Sequence, residues 1–296
     1  MQFTPVIDGW SFLEGPRWRD GRIWVSDFYT ERVLAVEPSG ATQVVAAVPQ
    51  QPSGLGWLPD GRMLIVSMRD RKLLRREHSG ELAEHADLSA FSDTHLNDMA
   101  VDARGRAYIT TFGFDLMAFA PVRDGALLRV DPDGTVSEAA GGLKFPNGPV
   151  ITPDGRTLIV NESCGNRVTA FDIHPDGTLG GRRVWADFGS LPDTDDVMQI
   201  MASMTVGADG SALDADGNLW VADAIHHRAL RIAPGGDILD EIPTGEDNVL
   251  ALALGGDDGR TLFLCLVPNF FEEERRATRV ARMVSTRVDV PLAGLG

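Results

Sequence analysis

Four oxygen-bearing side chains, Glu14, Asn97, Asn147 and Asp209, stand at one position of a phrase that the chain repeats. Asn97, Asn147 and Asp209 lie eight residues before the glycine of an Asp-Gly-like turn, and Glu14 lies seven before its own; Ser53 and Ala251 fill the position in the other two copies. Two carboxylates and two carboxamides gathered in a dry interior leave charge and lone pairs that are costly unless a cation or water meets them. The set is all oxygen, with no Cys or His, which suits one hard divalent ion, Ca²⁺ ahead of Mg²⁺, Mn²⁺ or Zn²⁺. Singly, each is an ordinary turn residue, as in Asn147-Gly148 and Asp209-Gly210. The shared register is what marks them as a set.

Such positions converge only if the copies surround an axis. The phrase is a short apolar stretch, a turn, a strand-like run and a second hairpin or loop. It occurs six times, beginning at Gly15, Gly54, Asp98, Gly148, Gly210 and Leu252. Runs such as Ile23-Trp24-Val25, Met63-Leu64-Ile65-Val66 and Leu219-Trp220-Val221 follow the turns. Asp-Gly between runs of this kind is a hairpin signal, because the tight turn needs positive φ. Each copy supplies about four short strands in roughly 40 to 60 residues, the size of a propeller blade. The expectation is an all-β six-bladed β-propeller with a central metal site, one domain over 1–296, without helical interludes. The first strand of each blade would line the channel. The segment Phe3-Thr4-Pro5-Val6-Ile7 belongs to no copy and is expected to pair near Ala281-Arg282-Met283-Val284, closing the ring.

Composition narrows the function classes. The net charge is −16 and no Lys/Arg cluster is present, which argues against nucleic acid or an anionic membrane as partner. Met1-Gln2-Phe3-Thr4-Pro5 has neither the basic nor the apolar part of a secretory signal. No apolar run approaches the ~20 residues of a membrane helix, so a cytoplasmic protein is expected. Cys164 and Cys265 are far apart and read as buried free thiols. The mixed run Glu272–Arg276 reads as a solvated loop or a short helical turn.

The segments Leu13-Glu14-Gly15-Pro16, Leu96-Asn97-Asp98, Phe145-Pro146-Asn147-Gly148 and Ala208-Asp209-Gly210 carry a resemblance, with Leu213-Asp214-Ala215-Asp216-Gly217-Asn218-Leu219-Trp220 behind the last. Along nearly the whole chain the sequence resembles the senescence marker protein/gluconolactonase/luciferin-regenerating enzyme family. The resemblance implies a propeller with one catalytic divalent cation held by Glu14, Asn97, Asn147 and Asp209. It also implies a hydrolase that opens small-molecule lactones or related esters.

Within that implied chemistry, the ion polarises the carbonyl and Asp209 serves as both ligand and general base. His95, on the approach to Asn97, is expected to donate to substrate or relay a proton. Asp98 would orient a neighbouring ligand, and His226-His227 would sit in an exposed hairpin. Sugar-lactonase members often carry an arginine two residues before the second ligand; here that position is His95, which argues against an aldonolactone. The long insertion 189–207 holds Asp193, Asp195 and Asp196, then Met198, Met201 and Met204. It reads as a lid or pocket wall, or as a short helix packed on the propeller face. If it covers the mouth, the substrate is less polar than a free sugar acid lactone, and Phe112, Phe114, Phe119 and Phe145 could add apolar walls. Two other readings stand beside this one: a non-catalytic calcium- or small-molecule-binding propeller, and a phosphotriesterase-like hydrolase.

Overall fold

The second strand of each repeat decides the architecture. Met63–Ser67, Ala107–Thr111 and Leu219–Asp223 are buried at every position, on both faces. Such strands need a neighbouring sheet on either side, so the sheets must stack face to face. The computed structural model, which describes residues 2–294, arranges them as six four-stranded antiparallel sheets, the blades of a propeller. The expected domain bounds 1–296 include Met1, Leu295 and Gly296, which lie outside the described residues. Outermost strands such as Thr42–Ala47 and Ile238–Pro243 are mostly exposed, as a sheet edge facing water requires.

The innermost strands, one per blade, are Leu13–Arg19, Pro52–Trp57, Leu96–Val101, Pro146–Ile151, Ala208–Leu213 and Asn248–Gly255. Large side chains from successive blades interlock between the sheets. Tyr108 and Leu127 of blade 3, for example, share one buried cluster with Leu158 and Phe171 of blade 4. The ring closes as expected. Strand Thr4–Trp10 is the outer strand of blade 6, antiparallel to Ala281–Arg287, with Thr4 opposite Ser285 and Trp10 opposite Ala281.

Two details position the axial residues. In every blade the ladder between first and second strands is irregular at or beside the register residue, as between Glu14 and Arg17 and between Asn147 and Val150. A bulge there bends the strand and re-aims the side chain. The second detail is the odd count of Glu14. Blade 1 turns through two residues, Asp20 (φ 53°) and Gly21 (φ 72°), between the paired Arg19 and Arg22. Blade 4 needs a longer turn, in which Thr152 N–H donates to Thr157 O at 2.9 Å and Gly155 N–H to Thr152 O at 2.8 Å. The shorter hairpin places Glu14 one residue nearer its turn.

Two short α-helices interrupt the strands, which corrects the expectation of blades without helical interludes and takes up, in each segment, the helical option that the sequence left open. Helix α1, Val197–Ser203, lies in the insertion and is capped by Asp196, whose carboxylate accepts from the N–H groups of Met198 and Gln199. Its Val197 and Ile200 are buried, so the insertion is anchored by an apolar face. Helix α2, Glu272–Ala277, forms from the mixed-charge run. It is held by Glu272, which pairs with Arg69 and with Arg276, and by the Arg276 guanidinium 4.8 Å from the Tyr29 ring centroid. Among the described residues no helix is long and apolar enough to cross a membrane.

Candidate active site

The bulged inner strands bring Glu14, Asn97, Asn147 and Asp209 to the floor of one axial cavity. Asn147 Nδ2 donates to Asp209 Oδ1, and Asn147 Oδ1 accepts from Gly148 N–H at 2.9 Å. Glu14 Oε2 accepts from Gly15 N–H at 3.1 Å. Ser53, the register residue of blade 2, donates to Asn97 Oδ1 at 3.4 Å, while Ala251 of blade 6 is buried and apolar. Glycine follows the register residue where inner strands crowd. At Gly148 (φ 49°) a Cβ would collide with the Asp209 carbonyl oxygen, and at Gly15 (φ 57°) it would lie 2.9 Å from the Ser53 carbonyl oxygen.

The electrostatics are unbalanced. Burial, and then the Asp98 charge, push Glu14 up to about 8, against weaker opposition from Gly15 N–H and Arg17. Asp209 is pushed well above the usual carboxylate range by burial, then by Glu14 and Asp98. Arg17 does not neutralise the floor. Its guanidinium is taken by Asp98 Oδ1 at 2.7 Å and the Met99 carbonyl at 2.8 Å. Among the described residues no Lys, Arg or His lines the cavity. No group of three or more His, Cys, Asp or Glu side chains suited to a metal occurs among them either; half the donors of this quartet are carboxamides. Four oxygen donors, two of them carboxyl groups with no facing cation, fit a hard divalent ion in kind.

His95 is set back from the cavity. Its ring packs edge-on against Phe112, centroids 5.6 Å apart, and Phe112 is the residue that lines the wall. Burial, then Arg69, lowers the His95 pKa. His226 Nδ1 lies 3.0 Å from the buried Asp223 carboxylate and is tied into blade 5. Of the four phenylalanines singled out by sequence, Phe112 and Phe145 line the cavity, Phe114 backs Phe145, and Phe119 is exposed. Met201 and Met204 of the insertion line the cavity, whereas Met198 is exposed. Cys164 and Cys265 are both buried and free, and Cys164 contributes to the wall.

Several neighbours were not legible. Asn161 Nδ2 donates to the Asp209 carbonyl, and its Oδ1 is buried without a hydrogen-bond partner among the described residues. A signal existed, since Asn161 lies directly opposite Asn147 in the blade 4 ladder. Phe12, Phe28, Leu116, Ile225 and Phe270 also line the cavity but come from loops and strand ends that no repeat count connects.

The chain is thus a six-bladed propeller with a polar floor at its axis and an apolar chamber above. Within that fold, residues 12–267 match the model of the SMP-30/Gluconolactonase/LRE-like region, and the chain belongs to this family. It is 27% identical over 292 residues to a 6-deoxy-6-sulfogluconolactonase of Pseudomonas putida, covering 94% of this chain and 91% of the other. It is 26% identical to pentonolactonase XacC of Haloferax volcanii, covering 89% and 84%. Among solved structures, a calcium-binding protein, regucalcin, of Agrobacterium tumefaciens superposes with a TM-score of 0.77 at 22% identity, covering 97% of this chain and 92% of the other. A luciferin-regenerating enzyme gives the same TM-score of 0.77 at 19% identity, covering 96% and 94%.

Proposed function

We propose that this protein is a lactonase-type hydrolase that opens a lactone or related ester at the axial floor. One divalent cation, Ca²⁺ first, would be held there by Glu14, Asn97, Asn147 and Asp209. The observation that carries the reading is the pairing of two half-buried carboxyl groups, which no lining cation faces, with two buried carboxamides beneath a chamber open to a small molecule. Membership of a family whose relatives are named as lactonases supports the reaction class.

When bound, the cation supplies Lewis-acid polarisation of the ester carbonyl. Asp209 acts as general base, taking a proton from water as the water oxygen bonds to the carbonyl carbon. The ring C–O bond then breaks and the proton returns to the leaving alkoxide, giving a hydroxy acid. Asn147 orients Asp209 by holding its Oδ1, and Asn161 fixes the strand through the Asp209 carbonyl. His95 acts as a positioning residue behind Phe112, and the insertion 189–207 as a lid that brings Met201 and Met204 over the chamber.

The test is proton release from a lactone panel by untreated protein, by chelated protein, and by chelated protein resupplied with Ca²⁺ or another divalent ion. Loss and return of turnover is the expected result. Full activity after verified metal removal overturns the metal assignment. Cation-dependent stabilisation with no turnover on any lactone or ester would instead favour a binding role, the reading suggested by the calcium-binding neighbour.

A further inference from the structure

Above its floor the cavity is almost wholly apolar. Phe12 stacks on Phe28 on one side with centroids 4.9 Å apart, and Phe112 meets Phe145 on another at 4.7 Å. Met201 and Ile225 complete the upper walls. Phe145 is held at φ 55°, a conformation that a bulky residue adopts only when its surroundings impose it. Its ring is thereby fixed directly before the Pro146-Asn147 segment of the floor.

Beyond the quartet, the polar lining is Ser163 and Cys164. Ser163 Oγ already donates to the Ala208 carbonyl at 2.6 Å, and burial pushes the Cys164 thiol up to about 12, so it stays neutral. The apolar character continues to exposed side chains of neighbouring loops. Phe119 and Phe271 lie 6.2 Å apart between centroids and are 39% and 44% exposed.

We propose, resting on the lactone-hydrolysis reading above, that the substrate is an uncharged lactone bearing an alkyl or aryl substituent. Its ester group meets the polar floor and its substituent lies among the phenylalanines and methionines. Polyhydroxylated and anionic lactones are excluded. Each hydroxyl of a sugar lactone would lose water and find no donor or acceptor in these walls. A carboxylate or sulfonate on the substituent would lie among the apolar walls, where no Lys, Arg or His among the described residues is placed to receive it. The reaction is the hydrolysis already described: water adds to the carbonyl carbon, the ring C–O bond breaks, and the alkoxide takes the proton.

The experiment compares kcat/KM for γ-nonalactone, γ-butyrolactone and glucono-δ-lactone, using the full chain with Ca²⁺. The alkyl lactone is expected to exceed the other two by about tenfold or more, the scale of discrimination that apolar pockets achieve. Met201→Gln is expected to raise KM for γ-nonalactone by roughly fivefold and KM for γ-butyrolactone by distinctly less, since only the former has a tail to lose contact. A preference for glucono-δ-lactone, or equal effects of M201Q on both unsugared lactones, overturns the inference and leaves the hydrolase reading standing. If no lactone is opened, the lactone reading falls, and calorimetric titration with the same compounds decides the pocket. Binding of the alkyl lactone alone sustains the apolar assignment, and equal or reversed binding overturns it.

Discussion

Asp209 and Glu14 are both half-buried carboxyl groups on the cavity floor, yet their replacement is expected to have different consequences. Asp209→Asn keeps the shape of the side chain and removes the proposed base. Turnover should fall by roughly 10² to 10⁴, the usual contribution of general base catalysis, and a kcat measurement under saturating Ca²⁺ checks it. A fall of less than tenfold would assign the base elsewhere. Glu14→Gln acts on the cation instead. In chelator its melting temperature should be no lower than that of the unmodified protein, because the amide replaces a carboxyl group whose ionisation burial and Asp98 penalise. With Ca²⁺ at a hundred times the dissociation constant, the unmodified protein gains about 2.7 kcal/mol, and the variant should lose most of that gain. A thermal shift assay with and without Ca²⁺ separates the two effects.

At the scale of the element, blade 4 holds its hairpins together through Glu162. This carboxylate, at the end of strand Thr157–Glu162, accepts from Arg167 Nε and Nη2 at 2.8 Å, Thr169 Oγ1 at 2.5 Å and Lys144 N–H at 2.9 Å. Burial alone would raise its pKa. The Arg167 guanidinium, the Thr169 hydroxyl and the Lys144 N–H outweigh burial and hold it below the ordinary 4.5. A depressed carboxyl stabilises the fold above its unfolded pKa and loses that contribution as pH falls through the folded one. The stability advantage over Glu162→Gln is therefore expected to be full near pH 7 and to shrink below about pH 4.5. Its neutral-pH size is about 2 kcal/mol, discounted from a fully buried pair because the Arg167 side chain is 35% exposed. Denaturant midpoints from pH 3 to 7 read it, and a pH-independent difference would refute the assignment. Elements were also where sequence reading fared unevenly. The turns were legible because Asp-Gly and its variants demand a particular backbone, and the six turns in turn exposed the register of Glu14, Asn97, Asn147 and Asp209. The bulges that aim those residues left no mark, since a bulge is a property of two strands together. Helix α1 was foreseen only as one of two options for a methionine-rich stretch. The chamber walls at Phe12, Leu116 and Phe270 were invisible, because loops from different blades meet only after the ring has formed.

For the whole molecule, the decisive contact is the one between strand Thr4–Trp10 and strand Ala281–Arg287. Without the first, blade 6 keeps three strands and exposes a long edge, and Met283 loses its neighbour Ile7. A chain lacking residues 1–10 is expected to melt at least roughly 5 °C lower, by calorimetry, because losing a few kcal/mol from a chain of this size shifts the midpoint by that order. An unchanged midpoint would mean that the three-strand blade is self-sufficient. The same clasp sets a timetable for biosynthesis. A ribosome releases strand Thr4–Trp10 long before its partner Ala281–Arg287, so until that partner emerges the early strand waits as an unsatisfied edge. Blade 1 likewise waits for blade 5 before Glu14 can meet Asp209 across the axis. Contacts this distant along the chain make folding slow, and the nascent propeller depends on whatever shields that edge until the hairpin of Thr261–Val267 and Ala281–Arg287 emerges.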